Sequence, residues 1–225
     1  MNEFKNWILS PWLDGPQVTD MSYAFYQLRQ FNEPVGSWDT TRVTDMSDMF
    51  GFTDSFNQPL NFQTSNVVDM SDMFWGAKSF NQPINFQTDN VVNMDHMFLD
   101  ALKFNQPLNN FKTDKVIDMK YMFAFAESFD QPISSWQTGQ TTDMSGMFAY
   151  ASSFNQPLGS WDVAAVTDMR SMFQGAESFD KNVDYWQTTQ VRTKSWACTF
   201  IYLHAMSCRS ANVLCSNLFV VITRI

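Results

Sequence analysis

Cysteine is absent from the first 197 residues of this chain, because Cys198, Cys208 and Cys215 all lie near its end. Disulfide bonds are therefore not expected to hold the larger part of the protein together. Histidine is scarce as well, with only His96 and His204. The cysteine spacings of ten and seven residues match no zinc-binding pattern. We expect no metal site and no cofactor.

Sequence patterns of enzymes and membrane proteins are missing too. The chain has no phosphate-binding loop, no nucleophile elbow and no paired-carboxylate signal. No apolar run reaches the ~18 residues that a membrane span requires. Met1–Gly15 lacks the basic start and apolar core of a signal peptide. We predict a protein that is not an enzyme, does not insert into membranes and carries no signal peptide.

Basic residues are outnumbered, with 14 Lys and Arg against 23 Asp and Glu and a net charge of −9. Every acidic residue lies at or before Asp184. Binding to nucleic acid requires clustered Lys and Arg that displace counterions. Docking on anionic lipid requires the same kind of charge. We therefore expect no nucleic-acid partner and no binding to anionic membranes.

The chain contains one sequence motif, or phrase, that is repeated seven times. Its clearest copies read T-D-M-S-x-M-F-x-x-A-x-S-F-[ND]-Q-P-[LI]. The Phe that opens the F-[ND]-Q-P part recurs at steps of 24 or 25 residues, at Phe31, Phe56, Phe80, Phe104, Phe129, Phe154 and Phe179. A period this regular predicts a stack of coils, each of which buries its apolar side against its neighbours.

The pattern inside one repeat predicts a short helix. Apolar residues follow Asp143 at the i, i+3, i+4 and i+7 spacing of an amphipathic helix, and the Asp is suited to cap its first turn. The β-branched Val-Thr piece before the Asp favours a strand. We therefore predict an α/β repeat, a solenoid of about seven coils of 24–25 residues, each with short parallel strands and a short helix.

The repeat pattern also sets the expected boundaries. Residues 17–195 form the solenoid, and residues 1–16 form a degenerate coil or cap. Residues 196–225 share nothing with the coils. Two hypotheses remain open for this tail: a cap over the last coil, or an out-of-frame or non-native extension.

The string N-Q-P-L-x-x-W-D-x-x-x-V-T-D-M-x-x-M-F resembles the BspA-family leucine-rich-repeat surface proteins, and the resemblance extends over residues 17–190. It implies a right-handed, leucine-rich-repeat-like solenoid. It also implies a protein that is displayed on cells or secreted and that acts in adhesion or recognition of a host. The secretion signal or wall anchor usual in that family is not found in this chain.

The positions that differ between repeats are candidates for a binding surface. Several of them hold aromatic residues, and aromatic side chains are favoured anchors in protein contacts. Two alternatives remain open: these side chains project outward, or they fill gaps between adjacent coils. The predicted candidate surface consists of Phe52, Trp75, His96, Tyr121, Phe125 and Tyr150.

The predicted function is the presentation of an extended surface to a protein partner, in adhesion or cell-surface recognition. Many coils without a catalytic pattern support this function. Two alternatives come from other classes. The first is a glycan-binding module that uses exposed aromatic residues, and the second is a structural spacer without a ligand.

Overall fold

The computed structural model describes residues 18–192, and this part of the chain contains no helix. The prediction of an α/β repeat with one helix per coil is therefore wrong. Extended strands are also missing from residues 18–192, where strand-like pairing between coils is limited to isolated parallel bridges. A second, shorter row of bridges joins Gly36, Leu60 and Ile84. The main row joins Asp20, Asp45, Asp69, Asn93, Asp118, Asp143 and Asp168. The predicted segments 1–16 and 196–225 lie outside the described residues.

The backbone hydrogen bonds explain why no helix forms. Met46, Asp48 and Phe50 donate their N–H groups to carbonyl oxygens of the next coil, at 2.9–3.0 Å. The intervening N–H groups of Met49 and Gly51 donate to the carbonyl three residues back. A helix would direct every one of these N–H groups to the carbonyl four residues back. Some N–H groups of a coil therefore close turns within that coil, and the N–H groups that alternate with them bond to the next coil.

Two left-handed backbone positions in every coil reinforce this arrangement. Counting from the bridged Asp or Asn, they are the third and the seventh residue. Eleven of them are not glycine, including Phe52 with φ 56° and His96 with φ 54°. A positive φ of this kind at the third residue of a four-residue turn is the geometry of a type II turn. It is incompatible with a right-handed helix.

The bridged Asp caps a turn instead of a helix. Asp45 Oδ1 accepts a hydrogen bond from the Ser47 N–H at 2.9 Å and another from the Ser47 hydroxyl at 2.7 Å. Bonding to the backbone two residues ahead defines an Asx-turn. The same contact recurs at Asp143 with Ser145, at 2.8 Å. The predicted capping residue therefore does form a cap, but the structure that it caps is the first turn of the series and not a helix.

Phenylalanine and methionine fill the interior in columns. Phe50 and Phe56 stack within one coil with ring centroids 4.2 Å apart, and Phe50 faces Phe74 of the next coil at 5.6 Å. Met46 and Met49 are fully buried beside them. Because each ring packs against its own coil and against a neighbouring coil, apolar burial stabilises the stack and not the single coil.

Side-chain ladders join the coils where the backbone does not. The Thr88 hydroxyl donates to the Lys112 carbonyl at 2.9 Å and accepts from the Lys112 N–H at 2.7 Å. In the sixth coil Val163 occupies this position. The threonines of this buried column are Thr40, Thr64, Thr88, Thr113 and Thr138.

The Asn of the F-[ND]-Q-P phrase forms a second ladder. Asn81 Oδ1 accepts from the Asn105 N–H and from Gln106 Nε2, both at 3.0 Å. Asp130 takes the same place further along and accepts from the Asn155 N–H at 2.8 Å. These side chains are therefore engaged in bonds between coils.

Coils of 24 and 25 residues differ at one corner. In a 25-residue coil the Phe111 N–H donates to the Leu108 carbonyl at 3.1 Å and closes a turn. In the shorter coils a single residue separates Leu60 from Phe62, and Leu60 bridges directly to Ile84. The shorter coils thus lack one residue of this turn, and their other residues stack as in the longer coils.

Candidate interaction surface and acidic cluster

The predicted surface residues fall on neighbouring positions of successive coils. His96 and Tyr121 occupy the third position after the bridged residue, and Phe52, Phe125 and Tyr150 occupy the seventh. Trp75 precedes a seventh position. The third-position column consists of Tyr23, Asp48, Asp72, His96, Tyr121, Gly146 and Ser171. The seventh-position column consists of Gln27, Phe52, Gly76, Asp100, Phe125, Tyr150 and Gly175.

Side chains of the third-position column lie against one another along the stack. The rings of His96 and Tyr121 are parallel within 8°, with centroids 5.4 Å apart. The other face of Tyr121 covers Gly146, where an added Cβ would overlap the tyrosine ring. Gly146 also has φ 61°, so both its backbone and its neighbour favour glycine. Tyr121 is thus held between two coils.

The seventh-position column repeats this arrangement. Phe125 and Tyr150 stack with centroids 4.7 Å apart and planes 13° apart. Tyr150 covers Gly175 with its other face, and its hydroxyl accepts a hydrogen bond from Gln174 Nε2 at 2.8 Å. Phe125 remains 43% exposed and Tyr150 40% exposed. These rings therefore pack between coils and still present their edges outward.

Phe52 and Trp75 connect the two columns. Their ring centroids lie 4.4 Å apart with planes tilted by 53°. Trp75 also lies 6.4 Å from His96. Both Phe52 and Trp75 are partly buried. The structure thus places the six predicted residues in two groups. One is an aromatic band that crosses several coils and consists of Phe52, Trp75, His96 and Tyr121. The other is the stacked pair of Phe125 and Tyr150.

An acidic cluster around His96 was missed by the sequence analysis. His96 Nδ1 lies 3.0 Å from Asp95 Oδ2 and 3.6 Å from Asp72 Oδ1. Lys120 Nζ lies 3.2 Å from the same Asp95 oxygen. The side chains of Asp72, Asp95 and His96 are each less than one quarter exposed. A repeat alignment with a 24-residue step places Asp72 beside His96, and this signal could have found the pair.

The electrostatics of the cluster are uneven. Burial raises the pKa of Asp72 to about 6, and His96 opposes this rise while Asp48 adds to it. Burial acts to raise the pKa of Asp95 as well, but the hydrogen bond from His96 and the contacts with Lys120 lower it overall. Asp95 is therefore the carboxylate whose charged form is stabilised by its contacts with His96 and Lys120. Asp72 is the carboxylate whose burial is not offset by its contacts.

The recurrent Trp position is a packing position. Trp136 is 2% exposed, and Trp161 is 4% exposed. The Trp161 indole N–H donates to the Ile133 carbonyl of the previous coil at 3.1 Å. These rings are closed to a ligand.

These features define a repeat protein built from stacked coils of turns. The chain belongs to the family described as "Mycoplasma protein of unknown function, DUF285", whose model matches residues 1–110, 60–142 and 106–201. No curated protein and no solved structure matches the chain. Within residues 18–192, no helix is long and apolar enough to cross a membrane.

Proposed function

We propose that this protein is a non-catalytic repeat protein that binds a protein partner through the exposed edges of Phe125 and Tyr150. The observation that carries this proposal is their exposure, about two-fifths each, in a stacked pair. The same column elsewhere holds Asp100 and Gly76, so its geometry is kept while its chemistry varies. A rigid backbone with variable side chains suits selective recognition, and exposed aromatic residues are favoured anchors in protein contacts.

The ring geometry supports a protein partner over a glycan. A sugar stacks on the open face of an aromatic ring. Tyr150 has Phe125 on one face and Gly175 on the other. Tyr121 has His96 on one face and Gly146 on the other. Only the edges of these tyrosines remain available, and edges suit contacts with apolar side chains and hydrogen-bonding groups of a protein.

Adhesion at a cell surface is the biological setting that we propose for this binding. Its support is the resemblance of the N-Q-P-L…W-D…V-T-D-M-x-x-M-F string to the BspA-family surface proteins. The acidic net charge of −9 favours partners with basic or neutral surfaces. A location outside the cell, displayed or secreted, follows from the same resemblance and is part of the proposal.

A pair of photo-crosslinking variants tests the proposal. A photoreactive phenylalanine analogue replaces Phe125 in one full-length variant and Tyr185 in the other. Tyr185 is 77% exposed and lies outside both columns, so it is a matched control for an exposed aromatic residue. Each variant is incubated with intact cells and with their extracted surface proteins. We expect a defined protein crosslink from position 125 and none from position 185.

The double variant Phe125→Ala with Tyr150→Ala provides the second measurement. It should abolish binding of the labelled full chain to the crosslinked partner, whereas Tyr185→Ala should leave binding unchanged. Equal crosslinking from both positions, or unchanged binding by the double variant, would refute the proposed surface. Loss of binding to a purified oligosaccharide in the same variant would instead favour the glycan alternative. Absence of any ligand would favour the spacer.

A further inference from the structure

Three potential metal ligands converge between the third and fourth coils. One oxygen each of Asp72 and Asp95 and a ring nitrogen of His96 lie within 4.8 Å of one another. Asp72 belongs to one coil, and the other two belong to the next. The cluster is therefore assembled by stacking and is absent from any isolated repeat.

The distances from His96 to the two carboxylates are close to those between ligands of a small transition-metal ion. Zinc binds nitrogen and oxygen ligands at ~2.0–2.2 Å with tetrahedral geometry, so its ligands lie about 3.3–3.6 Å from one another. His96 Nδ1 lies 3.0 Å from Asp95 and 3.6 Å from Asp72. The two carboxylate oxygens lie within 4.8 Å of each other, so a small approach of the Asp72 and Asp95 side chains would let all three donors reach one ion.

The charges around the cluster also favour a cation. Asp48 adds to the negative charge around Asp72 and Asp95, and Lys120 is the nearest ammonium group. Lys120 pairs with Asp95, whereas Asp72 lies beside the His96 imidazole. Mixed imidazole and carboxylate ligands are suited to zinc and similar ions.

We propose that Asp72, Asp95 and His96 bind a divalent transition-metal ion of the zinc type, with a water molecule as the fourth ligand. The ion joins two adjacent coils and neutralises the carboxylates that their stacking brings together. Its position beside Trp75 and Tyr121 also holds the His96 ring in the aromatic band. This site is independent of the proposed partner-binding surface at Phe125 and Tyr150.

Cobalt(II) is the probe, because its visible absorption reports tetrahedral coordination. The full chain is stripped with a chelator and carries Cys198→Ser, Cys208→Ser and Cys215→Ser, because free thiols would bind cobalt on their own. We expect tetrahedral absorption bands that saturate at one ion per chain. His96→Ala should abolish them, a larger loss than the 10–100-fold that changes behind the ligands cause. Unaltered bands in His96→Ala, or no bands in the parent chain, would overturn the proposal.

Three further variants sharpen the assignment. His204→Ala should leave the bands unchanged, which controls for the second histidine of the chain. Asp95→Asn should weaken binding at least tenfold while keeping the shape of the side chain. Lys120→Met should strengthen binding, because it removes the ammonium that competes for Asp95. Equal or weaker binding by Lys120→Met would contradict the site. Matching thermal melts of the chelator-treated variants verify that each one folds.

Discussion

The buried threonine column allows the contribution of one hydroxyl to stability to be measured in two ways. The hydroxyl can be removed at one position and added at another. Thr88 is 1% exposed, and its hydroxyl forms two hydrogen bonds with the Lys112 backbone, at 2.9 and 2.7 Å. Val163 holds the equivalent place and is 2% exposed. Thr88→Val therefore removes a hydroxyl that the stack uses, and Val163→Thr adds one opposite Gln187, the residue that corresponds to Lys112 in its coil.

The expected magnitudes follow from the number of bonds. A hydrogen bond contributes about 0.5–1.5 kcal/mol net, so Thr88→Val should lower the free energy of unfolding by about 1–3 kcal/mol. The lower part of this range applies where water reaches the freed Lys112 groups. Val163→Thr should raise the free energy of unfolding by up to about 1–2 kcal/mol, because its hydroxyl has to be desolvated before it bonds to Gln187.

Urea unfolding of the full chain, followed by tryptophan fluorescence, measures both changes. The midpoint and the slope of each curve are compared, because a changed slope in a repeat protein indicates that coils unfold separately. Thr44→Val is the control, because Thr44 is exposed while its hydroxyl also bonds to a neighbouring carbonyl, at 3.1 Å. We expect a smaller loss from it than from Thr88→Val. Equal losses at positions 44 and 88, together with a destabilised Val163→Thr, would refute the reasoning.

Two other predictions concern contacts between coils. Gly146→Ala should destabilise the stack by about 1–3 kcal/mol, because it combines φ 61° with an overlap on the Tyr121 ring. In a Tyr121→Ala background the thermal melting temperature should fall less, and an identical fall would contradict this cause. Asn81→Leu removes two hydrogen bonds and should cost about 1–3 kcal/mol. Asn81→Asp keeps the acceptor that Asp130 supplies naturally, so in urea unfolding it should stay near the unaltered chain; a loss equal to that of Asn81→Leu would show that the acceptor is not the cause.

The period of the chain could be predicted from its sequence, but the local backbone could not. Apolar residues at i, i+3 and i+4 indicate a helix because such residues share one helical face. Successive turns with alternate donors place Met46, Met49 and Phe50 inward with the same spacing. The decisive difference is a positive φ at residues such as Tyr121 and Phe125. Aromatic residues rarely adopt that conformation, so their identities carried no warning.

The surface residues could be predicted from the sequence more fully than the acidic cluster. Variation between repeats was enough to select Phe125 and Tyr150 as surface candidates. The contact of His96 with Asp72 depends on the 24-residue step that places one coil above the next, and the adjacent Asp95 points to the same place. Comparing neighbouring repeats column by column, in addition to averaging them, would have shown the charged neighbours.

Alternate N–H groups of each coil bind to carbonyl oxygens of the next one, and every coil offers acceptors at the same places. A duplicated or deleted unit of 24 or 25 residues would therefore meet compatible partners above and below without new contacts having to evolve. The length of the stack can thus change by whole repeats while the packing between coils stays the same.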